Sequence, residues 1–237
     1  MSNPLIMDID NSGALEITLY FDFLCPYAYQ TSLWLREIRD LIGADEVRVD
    51  WQFFSLEENR WSKEREGWHI WDQKPGGELY GLLPFLVAAA VQLAAGDEGL
   101  DRFYLALGRM RHEEGLPIWE RQHLEAALTE AGLDPIAYHE ALEGTYQPAY
   151  DKIKSDHTKA VEKYGIFGSS SLVFENSKAI YLKILPRPTD AQAIELFQFA
   201  QRIALGLPMI HEIKRAHTPE QEEELKEATS LSFTGLK

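Results

Sequence analysis

Cysteine is almost missing from this chain: Cys25 is the one thiol in 237 residues. An internal disulfide, a cysteine-based zinc cluster and an iron–sulfur centre are thereby excluded. The lack of a disulfide scaffold favours an intracellular compartment. Positive charge is scarce as well, with 23 Lys and Arg against 38 Asp and Glu and a net charge of −15. A field of that sign repels phosphate backbones and anionic lipid, so neither nucleic acid nor a membrane is expected as a partner. Long hydrophobic runs are lacking too. The most apolar stretch, Leu82 to Ala95, is broken by Pro84 and Gln92 and falls short of the roughly 20 apolar residues that cross a bilayer. Met1 to Gly13 has neither the basic start nor the apolar run of a signal peptide, and a soluble, cytoplasmic protein is expected. No histidine pairs with another ligand at tight spacing, so no metal is expected. What remains is 45% hydrophobic and 26% charged, an ordinary globular composition with enough length for a real core.

Leu15, Ile17, Leu19 and Phe21 alternate with Glu16, Thr18 and Tyr20, the period of a strand. A helix is expected from Ala28 to Leu41, with Pro26 in its first turn, where a missing N–H costs nothing. Val47, Val49, Trp51 and Phe53 alternate again. Helical stretches follow at Leu79–Ala95, Leu100–Arg111, Trp119–Ala131, Pro135–Leu142 and Tyr150–Tyr164, punctuated by glycines. The segment from Phe54 to Gly77, with Trp61, Trp68 and Trp71, reads mainly as loop. Strand character returns at Leu172–Phe174 and Ile180–Leu182 around a turn at Asn176 and Ser177, before a helix over Asp190–Leu205. Glu220 to Glu227 reads as an acidic, solvated helix. The order βαβ, helices, ββα describes an α/β unit over 14–54 and 165–205, split by a helical insertion over 55–164 and followed by a helical extension over 206–237.

Cys25 falls where the first strand turns into the first helix. A thiol at a helix N-terminus meets unpaired N–H groups and the positive end of the helix field, both of which favour thiolate. A lone cysteine is more often structural, yet its place before Pro26 at this corner puts the nucleophile reading ahead. A Cys25 pKa below that of a free cysteine is therefore expected.

The run Phe21-Asp22-Phe23-Leu24-Cys25-Pro26-Tyr27-Ala28-Tyr29 resembles the active-site corner of the DsbA-like branch of the thioredoxin superfamily. Gly165-Ile166-Phe167-Gly168-Ser169-Ser170-Ser171-Leu172-Val173 resembles that branch's cis-proline loop, which faces the nucleophile. The resemblance implies a thioredoxin fold with an inserted helical domain, and thiol–disulfide chemistry. Phe54 to Arg60, Leu107 to Gly115, Asp156-His157, Leu185 to Ala191 and His211 to Arg215 are similar, in order, to segments of mycothiol-dependent nitroreductase-like relatives. Cys25-Pro26-Tyr27-Ala28-Tyr29 is also similar to the Ser-Pro corner of hydroxychromene-carboxylate isomerases and kappa-class glutathione transferases. There the corner residue activates a bound thiol.

Two positions depart from the pattern, and both concern the chemistry. Ala28 stands where the resolving cysteine would be, so the chain cannot close its own disulfide. Ser170 stands where the cis-proline would be. A cis bond before a non-proline residue costs roughly 2.5–4 kcal/mol, so Ser169–Ser170 is expected to be trans. The resemblance thus implies a single-cysteine oxidoreductase using a low-molecular-weight thiol as co-substrate, with no tightly bound cofactor. Alternatives are a glutathione-type isomerase or transferase without net redox change, and a binding module that has lost catalysis. Cys25 would be the nucleophile, Pro26 would set the helix start, and the Tyr27 and Ala28 N–H groups would stabilise thiolate. Ser169 and Ser170 would contact the thiol partner, a small molecule or a protein thiol, and His157 would line the cleft. Asp22 is placed to accept a proton from Cys25, or to cap the turn. His112 reads first as a helix-end residue, Tyr29 or Tyr27 as packing on the insertion, the tryptophans as loop packing or a pocket wall, and Arg187 as structural. Oligomeric state is open, a homodimer being one form.

Overall fold

The computed structural model describes residues 14–175 and 178–230, with backbone alone for 228–230. Four strands form a mixed sheet in the order β2-β1-β3-β4, with β1 at Leu15–Phe21, β2 at Val47–Phe53, β3 at Ser171–Phe174 and β4 at Ile180–Tyr181. β1 runs parallel to β2 and antiparallel to β3, and β3 runs antiparallel to β4. Parallel neighbours need a crossover, which helix α1, Pro26–Ile42, supplies. Helices α2 (Leu56–Glu64), α3 (Leu82–His112), α4 (Arg121–Glu130), α5 (His139–Leu142) and α6 (Gln147–Tyr164) lie between β2 and β3. Helix α7, Asp190–Gly206, follows β4, and α8, Pro219–Ser230, comes last. This is the thioredoxin fold with helices inserted between its halves.

Alternation along β1 sends its side chains to two cores. Leu15, Ile17, Leu19 and Phe21 join Trp34, Leu35 and Ile38 of α1, Phe85 and Tyr104 of α3, and Phe197 of α7. Tyr20 points the other way, joining Phe54, Val173, Ile166 and Ala160 of α6. The indole N–H of Trp34 donates to the Ala193 carbonyl at 3.0 Å, tying α1 to α7. By length and composition α3 passes the test for a membrane span, but more than half of its apolar stretch is buried inside the protein; it is a core helix.

Two expectations need correction. The segment after Phe54 is not mainly loop: α2 occupies Leu56–Glu64, begun by the Ser55 hydroxyl, which accepts the Glu58 N–H at 3.0 Å. Ser-x-x-Glu is a helix-start signature, outweighed in reading by the aromatic and charged residues behind it. The two helices expected between Leu79 and Arg111 are both present within α3, meeting at a kink at Gly96, whose φ of 67° and ψ of −170° are open to glycine at little cost. Pro135 opens a 3₁₀ turn before α5, its N-cap Asp134 accepting the Ile136 N–H. Residues 1–13 and the turn residues Asn176 and Ser177 lie outside the described residues.

Candidate active site

Cys25 is the N-cap of α1, with Pro26 in the first turn as expected. Across the fold, 144 positions along the chain, its thiol donates to the Ser169 carbonyl at 3.1 Å. The corner and the triple-serine loop therefore meet. The Ser169–Ser170 peptide is cis, not trans. Ser170 is fully buried and bonded on both sides: its hydroxyl donates to the Leu182 carbonyl at 2.7 Å and lies 2.8 Å from Thr31 Oγ1. Its carbonyl accepts the Leu182 N–H at 3.0 Å. Those partners, supplied by α1 and the chain just after β4, tie the loop to both elements.

The sulfur is not exposed. Cys25 is 4% accessible, and burial pushes its thiol up to about 11. The N–H groups of Ala28 and Tyr27 and the Ser169 side chain pull the other way, as the helix-end argument predicts, while the Asp22 charge adds to the rise. Desolvation of the thiolate outweighs the helix terminus here. The expectation of a lowered pKa is thus corrected.

Asp22 is fully buried beneath the corner. Its Oδ1 accepts the Leu24 N–H and its Oδ2 the Leu56 N–H, each at 2.7 Å, so it caps the turn and also ties the corner to the start of α2. Burial raises it to about 6. It holds a proton about five pH units less tightly than Cys25 does, which makes it a poor acceptor for the thiol proton. Glu57, next in this chain of contacts, accepts the N–H groups of Tyr80 and Gly81 at the head of α3. Burial, then the charge of Asp22, raises it to about 7.

Folded-state values above the unfolded ones mean that Asp22 and Glu57 support the fold fully below their unfolded pKa values and lose that support as pH rises through 6 and 7. Stability of Asp22→Asn relative to the parent should therefore move in the variant's favour by up to about 3 kcal/mol between pH 4 and pH 7. Urea unfolding at the two pH values measures it. An unchanged difference would show that Asp22 does not titrate in that interval.

His112 does more than end a helix. Burial lowers it to about 3, so it is neutral at pH 7. Its Nε2–H donates to the Phe23 carbonyl at 2.9 Å, and its ring stacks on Tyr29. Tyr29 packs on the insertion as foreseen, donating to Glu113 Oε1 at 2.6 Å. His157 is buried, lowered to about 4 by burial, and neutral. Its Nδ1 accepts the Ser55 N–H, and it packs against Phe54 and Trp71. None of these partners belongs to the loop facing Cys25. Trp61 and Trp68 pack on each other, with Arg65 over Trp61. Among the described residues no group of three His, Cys, Asp or Glu side chains could hold a metal ion.

Sequence reading passed over Lys183, Tyr181, Thr31 and Glu57, which the fold brings to this region. For Tyr181 and Lys183 the advance signal was β4: an antiparallel partner of β3 must run beside the loop that precedes β3.

The site thus sets a cysteine at the cap of the first helix against the loop that precedes β3. The chain belongs to the DSBA-like thioredoxin domain family, which it matches over residues 16–198. It is 28% identical over 204 residues to an uncharacterized protein of Mycobacterium tuberculosis, covering 86% of this chain and 83% of that one. Its fold is similar to the cytosolic disulfide reductase DsbM of Pseudomonas aeruginosa, with 16% identity, TM-score 0.54, and 80% and 100% of the two chains covered. It is also similar to the MdbA thiol-disulfide oxidoreductase of Corynebacterium diphtheriae, with 16% identity, TM-score 0.53, and 81% and 85% covered.

Proposed function

We propose that this chain is a single-cysteine thiol–disulfide oxidoreductase working with a low-molecular-weight thiol. The observation that carries this reading is the thiol of Cys25 at the N-terminal end of α1, in contact with the Ser169 carbonyl. The Cys25 thiolate attacks one sulfur of a disulfide R–S–S–R, whose S–S bond breaks. A Cys25–S–S–R bond forms, and the leaving RS⁻ takes up a proton. Cys25 is oxidised and the small disulfide reduced. Ala28 has no sulfur to resolve the adduct, so a second thiol attacks the R sulfur and returns Cys25. Pro26 starts the helix, and the Tyr27 and Ala28 N–H groups stabilise the thiolate. Ser169 contacts the partner, whereas Ser170 and His157, both internally bonded, maintain loop and packing. Mycothiol-type and glutathione-type thiols are the two sources suggested by the motifs, and the cytoplasm is the compartment that suits a lone thiol.

A second reading rests on the raised thiol pKa. A cysteine that stays protonated at pH 7 can donate a hydrogen bond to a bound thiolate, as an isomerase or transferase of the glutathione type requires. Intact-mass measurement after exposure to oxidised small thiols separates the two. One adduct on the parent protein and none on Cys25→Ser is expected. An unmodified protein that still binds reduced thiol by calorimetry would favour the second reading, and neither result would leave a binding module.

A further inference from the structure

Lys183 is positioned by the cis-serine loop. The neighbouring residue, Leu182, exchanges two hydrogen bonds with Ser170, which fixes the next residue beside the Cys25 corner. Its ammonium stands 5.1 Å from the ring centre of Tyr27 and 5.6 Å from that of Tyr181. Tyr27 lies in the first turn of α1, two residues from Cys25. The Tyr181 ring lies on Gly168, where a Cβ would come within 2.9 Å of it. Both tyrosines are raised first by burial and next by the charge of Cys25.

Lys183 is exposed and makes no ion pair among the described residues, in a chain where acids outnumber bases 38 to 23. Tyrosine faces attract a cation without neutralising it, and three N–H donors stay available to a partner. The same corner holds the sulfur itself: the Cys25 thiol donates to the carbonyl of Ser169, the residue before Ser170, at 3.1 Å.

We infer that the Cys25 site selects low-molecular-weight disulfides that bear a carboxylate, which Lys183 receives while a sulfur meets Cys25. This rests on the oxidoreductase reading above and adds the class of partner. The redox step is the exchange already written, with the carboxylate as a spectator. The overall charge of −15 by itself favours the opposite order, since it repels anions and draws cations. The two expectations therefore differ in sign.

The test measures mixed-disulfide formation at one pH and one ionic strength with three symmetric disulfides. They are 3,3′-dithiodipropionate (dianionic), bis(2-hydroxyethyl) disulfide (neutral) and cystamine (dicationic). The dianion should react faster than the neutral disulfide by about two- to five-fold, the range of a partly exposed ion pair. That ratio should fall to one or below in Lys183→Gln and persist in Lys183→Arg. The ratio is the readout because any change in Cys25 ionisation acts equally on both reagents. Fastest reaction with the neutral or cationic disulfide, or a ratio unmoved by Lys183→Gln, would overturn the inference while leaving the oxidoreductase reading in place. If the parent protein forms no adduct even with the neutral disulfide, the oxidoreductase reading fails first and this inference with it.

Discussion

Phe21→Ala should destabilise the protein by about 3–5 kcal/mol, the range for removing a buried aromatic ring. Phe21 is fully buried at the end of β1, with Phe23, Trp51, Phe53, Phe85 and Tyr104 around it at ring-centre distances of 4.8–6.2 Å. Three of those rings come from β2 and the corner, and two come from α3 in the inserted helices. One side chain thus joins the sheet to the insertion, in the same core that holds Cys25. No neighbour can fill the space cheaply, since each ring is already packed edge-on or tilted against others. A urea titration followed by tryptophan fluorescence and far-UV circular dichroism should show one lowered midpoint by both probes. A loss below about 1 kcal/mol would mean that the aromatic cluster repacks, against the usual cost of a core cavity.

Cys25 should alkylate slowly, with a rate that climbs about tenfold per pH unit and shows no plateau through pH 10. A thiol raised to about 11 from its ordinary 9.0 has about 100-fold less thiolate at pH 7, at one tenfold step per unit. Thiolate is the reacting form, so iodoacetamide labelling read by mass gives the profile directly. Asp22→Asn removes a negative charge that opposes the thiolate and should move the profile to lower pH. An inflection below pH 9 in the parent protein would show that Cys25 is not held in the buried setting described here. The same profile bears on function: the site at rest is a protonated thiol in contact with Ser169, not a free thiolate.

Much of the architecture was legible in the order of residues. Alternation at Leu15–Phe21 and Val47–Phe53, the Pro26 helix start and the glycine stops are local signals, set by backbone geometry within a few positions. They were enough to foresee βαβ, helices, ββα, and to put the thiol at the first corner. Reading went astray where a local signal competed with composition. Ser55 and Glu58 marked the start of α2, but Trp61, Arg65 and Trp68 suggested an irregular segment; in the structure Trp61 belongs to the helix and packs on Arg65 and Trp68 at and beyond its end.

The candidate site divides along the same line. Which residues face each other was foreseen for Cys25 and Ser169, because the resemblance supplied the pairing. The roles of His112, Glu57 and Lys183 were not legible, since each depends on a partner far away in sequence: Phe23, Tyr80, and Tyr27 with Tyr181. Order along the chain determined the fold, the lone sulfur, the missing second sulfur at Ala28 and the excess of negative charge. Tertiary structure alone decided that the sulfur is covered and its pKa raised, that the Ser169–Ser170 bond is cis, and that one lysine lies between two tyrosines at the corner. The reason is physical. Helix and strand follow from contacts within a few residues, whereas ionisation and access follow from how much water packing removes, and packing joins segments the chain keeps apart.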